Sequence, residues 1–331
     1  MDWVKGKPKT AEYVENMRLV ELYLEDLNDF MKENNNSYRS YHTDIINAAR
    51  IFGEMGVTFP NIRKQHLKSF VKTLNKETKR PNGLSVSRLK YIFTVLNSMM
   101  EFLTYEELGE VNVVPAFRKR YLKTYKNNAS NSTPKQVPIT EVLSEMIYDI
   151  FDPKTRALHL LLAKTGIRRG EAITLDLNSV NLIEKYIMAE PATKRTNRQI
   201  PFDSECADAI ERYLMSSSSY KRIEGETALF VNRNGVRCNK NTISRMINKP
   251  AEKHGLHDPN ADRLEQHLKF GPHNYRHWFT TVLRKNGCPE RIIRILRGDA
   301  EGSVVDRYDH VTWEEIVEAY NAYMPSIISA N

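Results

Sequence analysis

Apolar residues recur at steps of three and four along the first hundred positions, which predicts a run of helices with one buried face each. Met17, Val20, Leu24, Leu27 and Met31 make the first stripe. Ile45, Ala49 and Phe52 make the second, which Gly56 and Pro60 bring to an end. Leu67, Phe70, Val71 and Leu74 form a third, and the "RPNG" turn from Arg80 to Gly83 separates it from a fourth with Leu89, Ile92, Leu96 and Leu103. Four stripes with polar backs predict a compact four-helix unit. Beyond Pro138 the helical pattern returns, broken by one strand-like interlude. Tyr186 to Ala189 and Gln199 to Phe202 flank a polar turn, and "ALFVN", Ala228 to Asn232, reads as a third strand. Ala207, Ile210 and Leu214 follow Ser204 as N-cap, while Ile243, Met246 and Ile247 mark a helix that stops before Gly255. The expected fold is mainly α with a small antiparallel β-sheet, in two domains.

Between these parts the composition changes. "PAFRKRYLKTYKNNASNSTPKQVP" holds six basic residues and no acidic one, around a polar centre. It reads as a basic linker, giving a helical domain over 1–115, a linker over 116–138 and a larger domain over 139–331. The net charge of +8 and pI near 9.2 point to an anionic partner. Arg118, Lys119, Arg120, Lys123 and Lys126, with Arg88 and Lys90 from the helical unit, are candidate contacts to a phosphate backbone. Lys64, Lys68 and Lys72 also face outward. For the residues of the helical unit a solvated surface is an equal reading, whereas the uncompensated linker run favours an anionic neighbour. The N-terminus lacks an apolar signal region and no uninterrupted apolar stretch reaches the roughly 18 residues of a membrane span. Cys206, Cys238 and Cys288 are few and far apart, which fits a reducing compartment. A soluble, cytoplasmic protein is expected.

Candidate chemistry lies in four places. "LLLAKTGIRRGEAITLDLNSV" sets Arg168 and Glu171 after a Thr-Gly break, "TKRTNRQIP" carries Lys194 and Arg195, "GPHNYRHWFTTVLRKNG" carries His273, Arg276 and His277, and "DRYDH" surrounds Tyr308. Taken in order, these resemble the tyrosine recombinase (phage integrase) family over about residues 155–325, through a Thr-Gly-x-Arg-x-x-Glu context, a His-x-x-Arg pair and a late tyrosine. The phrase "LRGDAEGSVVDRYDH" is similar to the integrases of archaeal viruses and plasmids. The resemblance implies Arg168, Lys194, His273, Arg276 and Tyr308 as catalytic residues. Before residue 155 it is one of architecture only.

The residue types suit the chemistry. Attack on a phosphodiester builds negative charge on its non-bridging oxygens, and arginine offers a cation that stays protonated and forks onto two of them. Arg168 and Arg276 are thus candidates for a clamp. By the resemblance Tyr308 attacks phosphorus, leaving a 3′-phosphotyrosine and a free 5′-hydroxyl, so the bond energy is kept and no ATP is needed. The resemblance also assigns protonation of the leaving oxygen to Lys194; the turn offers Arg195 as a second candidate, but lysine is favoured because arginine does not release its proton. His273 assists proton transfer or binds phosphate. Glu171 orients Arg168 or packs locally. One departure stands out: where the family has glycine followed by histidine or tryptophan, Gly298 precedes Asp299, which cannot donate to a phosphate. That helper role is then absent, moved to His277, or replaced by Asp299 accepting from the clamp. "HGLH" at His254 to His257 and the trio His267, His273 and His277 lack the partners of a metal site, so neither metal nor cofactor is expected.

The implied partners are double-stranded DNA at specific attachment sites, further copies of the chain in a homo-tetramer on DNA, and an accessory DNA-bending or directionality protein. Ile316, Ala319, Tyr320 and Tyr323 form an apolar stripe after the nucleophile that either contacts a neighbouring protomer or packs on its own domain. Two other readings stay open, a type IB topoisomerase-like strand transferase and a DNA-binding protein without catalysis.

Overall fold

The computed structural model describes residues 10–30, 36–78, 83–123, 137–190, 198–216, 221–261, 265–299 and 311–328. The chain divides into two compact units, split between Ser132 and Thr133. In the first, α1 (Ala11–Phe30), α2 (Asn36–Glu54), α3 (Lys64–Glu77) and α4 (Val86–Tyr105) enclose one core. The four stripes explain it: Val20, Leu27, Ile45, Phe52, Leu67, Phe70, Leu89, Ile92, Leu96 and Leu103 are all buried. The core does not stop at 115. A short helix α5 (Val114–Phe117) runs into a single wide turn, Arg118–Leu122, and Phe117 stacks on Phe93 with ring centroids 5.3 Å apart while Leu122 is buried. The basic residues around Phe117 and Leu122 hid this helical spacing, so the packed core of the first unit reaches Leu122, past the expected domain end at 115.

The second unit is built around α7 (Pro153–Thr165), whose Ala157 to Thr165 are buried on every side, as a central helix requires. Around it pack α6 (Thr140–Tyr148), α9 (Ser204–Met215), α10 (Lys240–Lys253), α11 (Pro272–Lys285), α12 (Glu290–Arg297) and α13 (Trp313–Tyr323). A short helix, α8 (Arg169–Thr174), precedes the sheet. The sheet is antiparallel in the order β1 (Val180–Asn181), β2 (Tyr186–Ala189), β3 (Arg198–Pro201), with Ile187 opposite Ile200 and Ala189 opposite Arg198. Two expectations need correction. Ala228 to Asn232 forms only isolated bridges, because side chains take its backbone groups: Arg222 donates to the carbonyls of Ala228 and Leu229, and Lys154 to that of Val231. The third strand is β1 instead. The cap of α9 is Asp203, whose carboxylate accepts from the Cys206 amide at 3.1 Å, and Ser204 is the first helical residue. Ile316, Ala319 and Tyr320 of α13 are buried in the core of their own unit. Among the described residues no helix is long and apolar enough to cross a membrane.

Candidate active site

Three segments meet at the site. Gly166 stops α7 in the left-handed region at φ 59°, Ile167 is buried, and Arg168 stands extended as the N-cap of α8. Its amide donates to the Glu171 carboxylate at 2.6 Å, which fixes the direction in which the Arg168 side chain leaves the helix. The second contributor is α11, whose inner face carries Tyr275, Arg276, Phe279 and Leu283, all buried. The third is the end of α12, where Gly298 adopts φ 59° and Asp299 follows.

The last carbonyls of α12 carry the negative end of its dipole and lack helical partners. Guanidinium groups take that place. Arg276 donates to the Arg297 carbonyl at 2.8 Å, Arg168 donates to the same oxygen at 3.5 Å, and Arg198 donates to the Leu296 carbonyl at 3.2 Å. Arg276 also donates to the Gly166 carbonyl at 2.8 Å. With these anchors set, Arg168 and Arg276 both reach Asp299 Oδ1, at 3.2 and 2.9 Å, and Arg297 Nε lies 2.8 Å from Oδ2. Burial, then the positive charges of Arg168 and Arg297, bring Arg276 down to about 10, still protonated at neutral pH.

Arg198 is a residue the motifs do not single out. It sits on β3 with its side chain on the same face as Ile200, and strand alternation is the signal that finds it. It donates to Glu171 Oε1 at 2.9 Å, and its Nη2 is buried without a hydrogen-bond partner. Burial would raise the Glu171 carboxyl, but the hydrogen bonds from Arg198 and the Arg168 amide outweigh it and hold Glu171 below its ordinary value. A Cβ on Gly298 would lie 2.8 Å from the Arg198 guanidinium, so the glycine is demanded by close approach as well as by φ. Lys164 was missed too. It is wholly buried, in ion pairs with Asp203 and Glu205, and donates to the Pro325 carbonyl at 2.8 Å.

The structure therefore brings together Arg168, Arg276, Glu171 and Asp299. Asp299 accepts from the two arginines, one of the roles the sequence left open for it. His273 and His277 lie one turn apart on α11, exposed, whereas Arg276 on the same helix is buried. Lys194 and Tyr308 lie outside the described residues, as does Lys126. In the helical unit, Arg88 is held by both oxygens of Asp44, so its charge is already matched there. Lys90, Lys119, Arg120 and Lys123 are exposed, and Arg118 donates to Thr94 at 3.1 Å. Lys64 and Lys68 of α3 stand 5.3 and 5.0 Å from the centroid of the Tyr121 ring. This gathers their charge beside the 118–122 turn.

Residues 135–315 match the family described as "Phage integrase family". Curated relatives include Tyrosine recombinase XerC from Alcanivorax borkumensis, 23% identical over 93% of this chain and 94% of that protein. XerC from Natranaerobius thermophilus is 26% identical over 91% and 97%. Among solved structures, the Tn1549 transposon integrase in complex with transposon right end DNA is similar at a TM-score of 0.67 and 16% identity, covering 92% of this chain and 98% of that one. The XerH site-specific recombinase bound to its difH substrate, a pre-cleavage complex, is similar at 0.59 and 18%, covering 92% and 83%. The fold is that of the tyrosine recombinases.

Proposed function

The chain belongs to the phage integrase family, and from that premise we propose that it cuts and rejoins DNA strands at specific sites through a covalent 3′-phosphotyrosine. It is a tyrosine recombinase acting on DNA, and neither the topoisomerase-like nor the non-catalytic reading is favoured by its relatives. The observation that supports the chemistry is the convergence of Arg168 and Arg276 on one carboxylate oxygen. A carboxylate and a phosphodiester each carry one negative charge and present oxygens to a guanidinium fork. A scissile phosphate bound where Asp299 Oδ1 lies would meet both arginines, fixed in advance by the α12 carbonyls and Gly166. Such preorganised donors stabilise charge as it develops without reorganising during the reaction. Tyr308 attacks phosphorus, Lys194 protonates the departing 5′-oxygen, and His273 assists at the mouth of the site. Glu171 acts by holding Arg168 and Arg198.

The first domain, with Lys64, Lys68, Lys90, Lys119, Arg120 and Lys123, tracks the phosphate backbone. The working assembly is a homo-tetramer on two duplexes, helped by an accessory DNA-bending or directionality protein, in the cytoplasm where the DNA is. A nicked suicide duplex spanning the recombination site, mapped in DNA flanking the encoding gene, tests the reading. A protein–DNA adduct that survives denaturant is expected from the native chain and none from Tyr308→Phe. An adduct formed by the phenylalanine variant would overturn Tyr308 as nucleophile.

A further inference from the structure

Arg297 stands in the same knot of charge, inside the phrase that opens "LRGD" but given no role by it. Its Nε lies 2.8 Å from Asp299 Oδ2, the oxygen opposite the one held by Arg168 and Arg276, as an ion pair without hydrogen-bond geometry, so this buried N–H has no hydrogen-bond partner among the described residues. Its own carbonyl accepts from both of those arginines, so its main chain is pinned at the site while its side chain faces the anion they share. The side chain is 28% exposed, as open as that of Arg168 at 29%.

With Arg198 and Glu171 counted, four guanidiniums face two carboxylates here, so positive charge stays in excess. An entering phosphodiester brings the same unit charge as Asp299 and can take its place between Arg168 and Arg276, the excess positive charge offsetting the anion that is added. A carboxylate accepts only, so Asp299 has no hydrogen to give a phosphate oxygen, whereas Arg297 next to it has five N–H donors. Building on the proposed function, we infer that Arg297 is a third catalytic arginine whose guanidinium contacts the scissile phosphate, while Asp299 holds the three cations together until DNA arrives.

The test separates this role from simple neutralisation of Asp299 by working in an Asp299→Asn background, where no carboxylate remains to neutralise. Adduct formation is timed on the nicked suicide duplex and on the same duplex with an uncharged methylphosphonate at the scissile position. Arg297→Ala in that background is expected to slow the reaction about ten- to a hundredfold on the phosphodiester, in line with loss of one oxyanion donor, and less than about threefold on the methylphosphonate. No slowing on the phosphodiester, or equal slowing on both duplexes, overturns the inference. Arg297→Lys, which keeps the charge without the fork, should recover part of the rate. Lack of recovery together with a lowered melting temperature assigns the loss to folding and overturns it as well. If Asp299→Asn alone forms no adduct, the place-keeping role given to Asp299 is wrong. An adduct missing from the native chain instead defeats the parent proposal.

Discussion

The guanidinium of Arg276 donates to the main-chain carbonyl of Gly166 at 2.8 Å, so the glycine that stops α7 is also a ligand of the arginine on α11. Gly166 sits at φ 59°, and a Cβ placed on it would lie 2.6 Å from the Phe279 ring. Gly166→Ala therefore combines backbone strain with overpacking, together costing about 2–5 kcal/mol. A clear drop in melting temperature is expected by thermal denaturation. An unchanged midpoint would mean that the ring yields freely and the contact carries no strain.

Arg276 serves the carbonyls of Gly166 and Arg297 and the carboxylate of Asp299 with one planar group. A lysine ammonium cannot span that set. Arg276→Lys should lower the rate of adduct formation by at least about a hundredfold. Affinity for the duplex, read by mobility shift, should change by less than about threefold because many phosphate contacts share the binding. Parallel loss of both would count against a role confined to the reacting phosphate.

Glu171 and Arg198 form a buried ion pair at 2.9 Å. Removing one partner strands the other charge, which costs about 3–5 kcal/mol, whereas removing both charges is far milder. Arg198→Met should thus be strongly destabilised in chemical denaturation and Arg198→Met with Glu171→Gln partly restored. If the double variant is no more stable than the single one, the pair is not what Arg198 contributes.

His159 is fully buried, taking a hydrogen bond from Tyr275 at 2.5 Å and facing the Met246 carbonyl at 3.1 Å, and burial pushes its pKa from 6.5 down to about 4. As pH falls from 6.5 to about 4, the unfolded chain takes up a proton that the folded one refuses. Stability is therefore lost over that window, by about 3 kcal/mol in all. His159→Gln can keep both hydrogen bonds without titrating, so its stability should vary less across the same range. Equal slopes for the two proteins would show that His159 is not the group responsible.

How much of this was legible beforehand depends on how far each residue's role is local. Leu89, Ile92, Leu96 and Leu103 advertise a buried face because helical periodicity is a property of neighbours in sequence. Arg168 and Arg276 stood out through motifs, but nothing local told that both would cap the end of α12. Arg198 could be read as inward-facing from its alternation with Ile200, yet its partner Glu171 lies on another element. Lys164 is a polar position in an apolar run, with nothing local to mark its partners. Only the tertiary fold shows that Asp203, Glu205 and the C-terminal segment close around it, and the same distant carboxylates are why a lysine can be buried there.

That closure makes the C-terminal segment sensitive to acid. Glu205 accepts from the amides of Ile327 and Ile328 at 2.9 and 3.0 Å, and pairs with Lys164 at 2.7 Å. Burial would raise its carboxyl, but the Ile327 amide, Lys164 and Ser326 together hold it below the ordinary 4.5. A carboxyl lowered in the folded state contributes stability that is complete above 4.5 and disappears as pH falls through the lowered value. Hydrogen exchange at the Ile327 and Ile328 amides should accordingly quicken, relative to its intrinsic rate, only below pH 4.5. In Glu205→Gln the two amides should already be poorly protected at neutral pH, and their protection should lose most of its acid dependence. Lys164→Met should do more harm, since it leaves Asp203 and Glu205 facing each other without a cation, a loss of about 3–5 kcal/mol. Full protection of both amides in either variant would show that the segment is held by the packing of Ile327 alone, with the charges as bystanders.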